Sequence, residues 1–165
     1  MDSAAILLAF AAQWSNPSRP PATVDQSELE AAEVTLGVRF PEDYKAGVLS
    51  VGLPRPTLAL LSAIAERPID LHDLSDLATP SEIVEETLGW REIGLPENLV
   101  VIGNDSMGSK FCFDVADLHG DRVISAPVYF WDHDFDTVEL VGASFPEWIG
   151  SYVGDWSNGL KYDDF

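Results

Sequence analysis

LGVRFPEDYKAGVLSVG, residues 36–52, predicts the end of one helix, a tight turn and the start of another helix. Gly37 is suited to end the first helix, because glycine readily adopts the left-handed backbone of a helix C-terminus. Pro41 suits the start of the second helix, since its fixed φ matches the first helical turn. The second helix is expected to bury one apolar side, formed by Tyr44, Val48, Leu49 and Val51. The stretch therefore predicts a helix-turn-helix corner.

Two segments before this corner are also predicted to be helical. The apolar run AAILLAFAA predicts a helix over residues 3–14, because it is too short to span a bilayer and Asp2 stands where a signal peptide carries basic residues. Residues 16–24 contain three prolines and form an extended connector. Ser27 and Glu30 have the spacing of a capping box for the next helix. The apolar side of that helix is predicted to be Leu29, Ala32, Val34 and Leu36.

The second half of the chain has the pattern of β-strands. Apolar segments separated by turn residues predict strands at residues 99–103, 110–115, 122–125, 127–132 and 137–141. A short strand is also predicted within residues 69–77, while residues 57–66 fit either a helix or a buried segment. Helices are predicted to start at Thr79 and at Ser144. Residues 1–165 are therefore expected to form a single α+β domain, with N-terminal helices, an antiparallel or mixed β-sheet and a C-terminal helix.

The corner is followed by three further blocks, at residues 99–115, 127–134 and 144–153. In this order the four blocks resemble the SUKH superfamily of Smi/Knr-like domains, over about residues 27–153. The resemblance implies a SUKH-like α+β fold. The residues that carry it, and that it implies to be structural, are Leu36, Gly37, Phe40, Pro41, Tyr44, Leu49, Gly52, Gly108 and Trp131.

The chain is strongly acidic, with 28 acidic and nine basic residues and a formal net charge of −19. Residues 81–165 carry 17 of the acidic residues and only four of the basic ones. This charge excludes direct binding to nucleic acid, because such binding depends on Lys and Arg that neutralise phosphates. The same charge would steer a basic protein towards the surface. A surface adapted for solubility or for salt explains the composition equally well.

The sequence contains no motif for catalysis or for a cofactor. Its single cysteine lies in an apolar run and is predicted to be a buried, inert thiol, and its three histidines lack zinc-type spacing. Asp132, Asp134 and Asp136 alternate as in a calcium loop, but Thr137 and Ala143 stand where an EF-hand needs Gly and Glu. We therefore predict that the chain is not an enzyme and binds no metal or cofactor.

The SUKH resemblance implies an immunity protein, which binds and blocks a cognate polymorphic toxin such as a nuclease or another toxin that acts on nucleic acid. An acidic surface fits this role, because a protein that fills a nucleic-acid cleft presents carboxylates where phosphates would lie. The predicted partner-binding residues are Tyr129, Asp132, Asp134, Asp136 and Glu139. The alternative is a regulatory or scaffold module, as in the fungal cell-wall regulators of the same superfamily. A cytoplasmic location without membrane contact is expected, and the sequence leaves the oligomeric state open.

Overall fold

The computed structural model describes residues 2–164 as α-helices packed on one antiparallel sheet. The α-helices in this range are α1 (Ser3–Trp14), α2 (Gln26–Leu36), α3 (Glu42–Ser50), α4 (Leu58–Ala65), α5 (Pro80–Arg91) and α6 (Phe145–Gly150). The strands lie across the sheet in chain order, as β1 (Asp76–Leu77), β2 (Leu99–Asn104), β3 (Lys110–Asp114), β4 (Val128–Asp132) and β5 (Thr137–Gly142). The predicted α+β fold, with N-terminal helices, an antiparallel sheet and a C-terminal helix, is confirmed.

The predicted corner forms between α2 and α3. Gly37 ends α2 with a φ of 67°, and Pro41 immediately precedes α3. Glu33 joins the two helices, because its Oε2 accepts a hydrogen bond from the backbone N–H of Phe40 at 2.7 Å and lies 3.3 Å from Lys45 Nζ. The turn geometry and this carboxylate together fix the angle at which α3 enters the core.

Two of the residues predicted to be buried at the corner are exposed. Val34 is 83% exposed and Leu49 is 38% exposed, whereas Leu29 and Tyr44 are buried. Each exposed residue lies five positions after the buried one on its own helix, which places it about 140° further round the helix axis. The buried sides of both helices are therefore narrower than their apolar content suggests.

The capping of α2 also differs from the prediction. The capping box uses Asp25 and Glu28, whose side chain accepts from the Asp25 backbone N–H at 3.0 Å, rather than Ser27 and Glu30. Both pairs have the required spacing of three residues. The earlier start places Val24, which is 7% exposed, in the core just before the helix.

Aromatic rings fill the core between the helices and one face of the sheet, which we call the inner face. Tyr44 of α3 packs edge-on against Phe113 of β3 and Phe145 of α6, with ring centroids 5.5 and 4.9 Å away. Phe111 of β3 lies 4.6 Å from the ring of Trp148 on α6. These rings lock α3, α6 and the sheet together, since aromatic pairs add to the burial free energy of their area.

The opposite face of the sheet, which we call the α5 face, carries a smaller cluster with Val101, Cys112 and Trp131. Cys112 is fully buried, as predicted, and its burial raises the pKa of the thiol. Helix α5 packs on β2, towards one end of this face. At the other end, Val138 and Leu140 of β5 stay 50% and 58% exposed.

The prediction of a strand at residues 122–125 is wrong. This segment instead supplies hydrogen-bond acceptors to the start of α3, because the backbone N–H groups of Glu42 and Asp43 donate to the carbonyls of Val123 (2.8 Å) and Ile124 (3.2 Å). Ser125 Oγ also donates to the Asp43 carboxylate at 2.7 Å. Since α3 has no side-chain cap at its N-terminus, this segment satisfies N–H groups that would otherwise lack partners.

Within residues 69–77, only Asp76 and Leu77 form a strand. The residues before them cross the inner face, where the His72 carbonyl accepts from the Tyr152 hydroxyl at 2.8 Å. Residues 57–66, left open by the sequence, contain helix α4. The predicted caps of α5 and α6 are confirmed, with Thr79 and Ser144 accepting from the helix backbone.

Candidate protein-binding site

The turn between β4 and β5, residues 133–136, is built by the aspartates that flank it. Asp132 Oδ1 accepts hydrogen bonds from the backbone N–H groups of Asp134 (2.9 Å) and Phe135 (3.2 Å). This local bonding is the common reason for aspartate at turns. It gives Asp132 a structural role in the turn and leaves the Asp134 carboxylate 68% exposed.

Asp136 closes the turn and also binds the core. Its φ is 52°, the only positive φ of a non-glycine residue among residues 2–164, in a region that aspartate tolerates better than most residues. Its Oδ1 accepts from Trp131 Nε1 at 2.8 Å, and Trp131 is only 2% exposed. Asp136 thus satisfies the polar atom of a buried indole in addition to carrying a surface charge.

The turn between β2 and β3 packs against the turn between β4 and β5 and is hydrogen-bonded to it. His133 Nδ1 lies 3.0 Å from Ser109 Oγ, and the backbone N–H of His133 also donates to that hydroxyl at 3.3 Å. Gly108 has a φ of 92°, and a Cβ there would lie 3.5 Å from the His133 ring. The His133 ring packs beside Trp90 and Trp131 at centroid distances of 5.9 and 6.4 Å. The acidic turn is therefore held on a rigid base.

Lys110 fixes α5 to the sheet beneath this base. Its side chain is only 5% exposed, and its Nζ lies 3.3 Å from Glu86 Oε1 and 4.3 Å from the centre of the Trp90 ring. The ammonium also donates to Asn104 Oδ1 at 2.5 Å. A buried ammonium needs such partners, because an unpaired charge inside a protein is strongly destabilising. Lys110 thus orients Trp90, which contacts His133.

Glu139 lies on β5 and faces the inner side of the sheet. It is opposite Phe130 in the register and pairs with His72, whose Nε2 lies 2.8 Å from Glu139 Oε2. The His72 ring stacks flat on Phe130 with a centroid distance of 3.7 Å. The Glu139 side chain nevertheless remains 54% exposed, so that its carboxylate is open to a partner.

Tyr129 lies on the other side of the sheet. It is opposite Cys112 and Leu140 in the register, which places it on the α5 face. Burial raises the pKa of its hydroxyl, and the negative charges of Asp117 and Asp114 raise it further. The five predicted partner-binding residues therefore do not share one face: the three aspartates lie at the turn, with Tyr129 and Glu139 on opposite faces.

Exposed apolar residues lie beside the acidic ones, and none of them is among the predicted partner-binding residues. Phe135, at the tip of the turn, is 79% exposed, and Val138 and Leu140 are exposed on the α5 face. Phe135 stands within the Asp132–Asp136 run, and an aromatic residue in a polar turn is the signal that could have found it. We call β4, the turn 133–136 and β5 together the β4–β5 edge.

One group of residues in the described range has the composition of a metal site. Asp132, His133 and Asp134 each bring a potential ligand atom within 4.8 Å of the others. The hydrogen bonds of Asp132 to the turn backbone, and of His133 to Ser109, account for their positions without a metal. The expectation that the chain binds no metal stays a prediction.

The residues implied to be structural lie mostly in the interior or at turns. Phe40, Pro41, Tyr44, Gly52 and Trp131 are buried. Gly52 has a φ of 94°, and a Cβ there would lie 2.5 Å from the Ala22 carbonyl oxygen, so that only glycine fits. Leu36 and Gly108 are partly exposed, and Gly37 is exposed at the turn that it forms.

In residues 2–164 no helix has the length and apolar character needed to cross a membrane.

Comparison with known proteins identifies the family. No curated protein matches the chain. Residues 23–151 match the model of the SMI1 / KNR4 family (SUKH-1), which covers the corner, the sheet and α6. The chain therefore belongs to the SMI1 / KNR4 family (SUKH-1).

Proposed function

We propose that this protein is an immunity protein that binds and neutralises a cognate polymorphic toxin, a nuclease or another toxin that acts on nucleic acid. The observation that carries the proposal is the acidic turn of the β4–β5 edge, which presents carboxylates around an exposed aromatic residue on a chain of net charge −19. Membership of the SUKH-1 family supports the same role.

The turn has the charge that a nucleic-acid-binding cleft recognises. Toxins that act on nucleic acid bind phosphates with Lys and Arg side chains. Asp134 presents an exposed carboxylate to such a cleft, and Glu139 presents a second one on β5. Carboxylates held on a rigid turn attract a basic surface over long range and speed its encounter with the protein.

Phe135 supplies the apolar contact that charges alone lack. Protein interfaces depend on a few aromatic or arginine anchors, surrounded by groups that exclude water. Phe135 lies in the turn, 79% exposed, between Asp134 and Asp136 in the sequence. A basic cleft with an apolar floor would therefore bind this turn more tightly than one that offers charge alone.

Neutralisation by binding needs no catalytic group, and we propose that the protein is not an enzyme. The thiol of Cys112 is fully buried, with a raised pKa. The His72 and His133 rings are engaged by Glu139 and Ser109. The protein should accordingly act stoichiometrically, with one copy blocking one toxin.

The test is co-expression with a toxin domain encoded beside this protein. The protein should restore growth, while Asp134→Lys and Phe135→Ser should restore it less. Glu30→Lys is the matched control, since it makes the same charge change at an exposed site on α2. Failure of the unmodified protein to restore growth would contradict the pairing. Equal rescue by all variants would point to acidity that serves solubility instead.

A further inference from the structure

The outer edge of β5 has free backbone groups. β5 is the last strand in the sheet order β1-β2-β3-β4-β5, so that β4 pairs with one of its two edges and the other edge is the outer one. Among residues 2–164, no other segment donates a backbone hydrogen bond to residues 137–142 or accepts one from them. Within residues 137–140, which are exposed, every second residue therefore directs its N–H and C=O into solvent.

Natural proteins usually protect such edges with proline, lysine, a bulge or a covering loop. β5 has six residues, TVELVG in one-letter code, and none is proline or lysine. Residues 137–140 are all exposed. The register passes from Tyr129↔Leu140 to Val128↔Gly142, so the irregularity in β5 is at Val141, beyond residues 137–140. Positions 137–140 thus form a regular, accessible edge.

We propose that β5 accepts an extended, basic segment of a partner protein as a sixth strand of the sheet. This inference deepens the proposed function, since it states how a basic toxin attaches, and it rests on that function only for the identity of the partner. Strand addition provides affinity through the backbone and selectivity through alternate side chains.

The two faces of β5 determine the sequence pattern of the added strand. On the α5 face, Val138 and Leu140 offer exposed apolar side chains. On the inner face, Glu139 borders a cavity of about 130 Å³, which Asp70 and His72 also line. A strand that alternates Lys or Arg with apolar residues would place its cations at Glu139 and its apolar side chains at Val138 and Leu140.

Strand addition also accounts for the distribution of the predicted contacts over two faces. Because successive side chains of a strand point to opposite faces, one added strand reaches the inner face and the α5 face together. It would contact Glu139 on one face while its alternate side chains cover Leu140 and approach Tyr129 on the other. A partner that docked flat on either face would reach only part of this set.

A second copy of this chain is the wrong partner for the edge. Antiparallel pairing of two β5 strands through residues 137–140 would bring two Glu139 side chains close to one another. Like charges across strands are destabilising, and each copy carries a net charge of −19. The acidic residues therefore oppose self-association while they favour a basic strand.

The test uses peptides, and so it is independent of the toxin. A capped peptide Lys-Val-Lys-Val-Lys-Val-Lys is titrated into the isotope-labelled protein, to about one millimolar, and amide NMR shifts are followed. We expect shifts at β5 and at the turn 133–136. Replacement of every Lys by Glu should abolish them. Two further peptides carry N-methyl groups on either the lysines or the valines, which removes the N–H donors of alternate residues.

One N-methylated peptide should bind more than about tenfold more weakly than the parent, because its blocked amides face β5, while the other should bind nearly as well. Glu139→Lys should weaken the parent peptide by about 3–30-fold, and Glu30→Lys should not. Absence of shifts at β5, equal binding by both N-methylated peptides, or equal binding by the Lys and Glu peptides would overturn the proposal. Loss of growth rescue with intact peptide binding would contradict only the toxin partner.

Discussion

Asp136 offers a sharp test of the turn, because it combines a strained backbone with a hydrogen bond to the core. Comparison of four residues at this position, Asp, Asn, Gly and Ala, separates the contribution of the backbone conformation from that of the hydrogen bond. Aspartate tolerates the φ of 52° and accepts from Trp131 Nε1. The substitution Asp136→Asn keeps both properties without the charge. Asp136→Gly removes only the acceptor, and Asp136→Ala removes the acceptor and disfavours the backbone.

The magnitudes follow from these two terms. A buried N–H left without an acceptor costs about 1–3 kcal/mol, and Trp131 is only 2% exposed. A left-handed backbone costs an alanine roughly 1–2 kcal/mol. Asp136→Ala should therefore lower the free energy of unfolding by about 2–5 kcal/mol. In a domain of this size that corresponds to a fall in Tm of roughly 4–20 °C.

The assay is denaturant unfolding, monitored by tryptophan fluorescence and by circular dichroism. The expected order of stability is Asp at least equal to Asn, then Gly, then Ala. An alanine variant as stable as the unmodified protein would refute the role of the Trp131 hydrogen bond. A glycine variant less stable than the alanine variant would refute the backbone argument.

Three further variants test other contacts. Gly142→Ala should lower the free energy of unfolding by about 1–3 kcal/mol, because the new Cβ would lie 2.7 Å from the Cβ of Trp148. Gly89→Ala should raise it by about 0.5–1 kcal/mol, because Gly89 lies in α5 with open space around it. Equal effects of the two variants in urea unfolding would contradict this prediction. Lys110→Met should cost about 3 kcal/mol, since it removes the cation that pairs with Glu86, and an unchanged unfolding midpoint would exclude that role. Asp105→Asn keeps the oxygen that accepts from two turn amides but removes a carboxyl whose pKa is raised, chiefly by burial, above 3.8. The free energy of unfolding of the unmodified protein should fall as pH rises from the unfolded-state pKa of Asp105 to its raised folded-state pKa, because the folded state binds the proton more tightly. The stability of Asp105→Asn relative to the unmodified protein should therefore increase between these two pKa values and stay constant above them. A stability difference that does not change with pH would contradict this prediction.

The corner and the hairpins could be predicted because their signals are local. Gly37 and Pro41 act within a few residues, and the caps at Thr79 and Ser144 are read from the residues that follow them. The strands predicted at residues 99–103, 110–115, 127–132 and 137–141 also form, as β2, β3, β4 and β5. Such features depend little on distant parts of the chain.

Features set by distant partners could not be predicted. Residues 122–125 have the composition of a strand. Their carbonyl groups instead accept hydrogen bonds from the first backbone N–H groups of α3, about 80 positions earlier in the chain. Val138 and Leu140 are apolar yet exposed, because α5 packs at the other end of the α5 face. The sequence placed Tyr129 and Glu139 in one candidate site, and only the strand register separates them onto opposite faces.

Toxin binding through the acidic turn is tested most directly by the affinity for a cognate toxin domain, measured by titration calorimetry at several salt concentrations. We expect one-to-one binding that weakens steeply with salt, because screening reduces the attraction between exposed charges. We also expect Asp134→Lys and Glu139→Lys each to weaken binding by about tenfold or more, while Glu30→Lys leaves it unchanged. Affinity that is independent of salt and insensitive to changes in the β4–β5 edge would exclude binding through this edge.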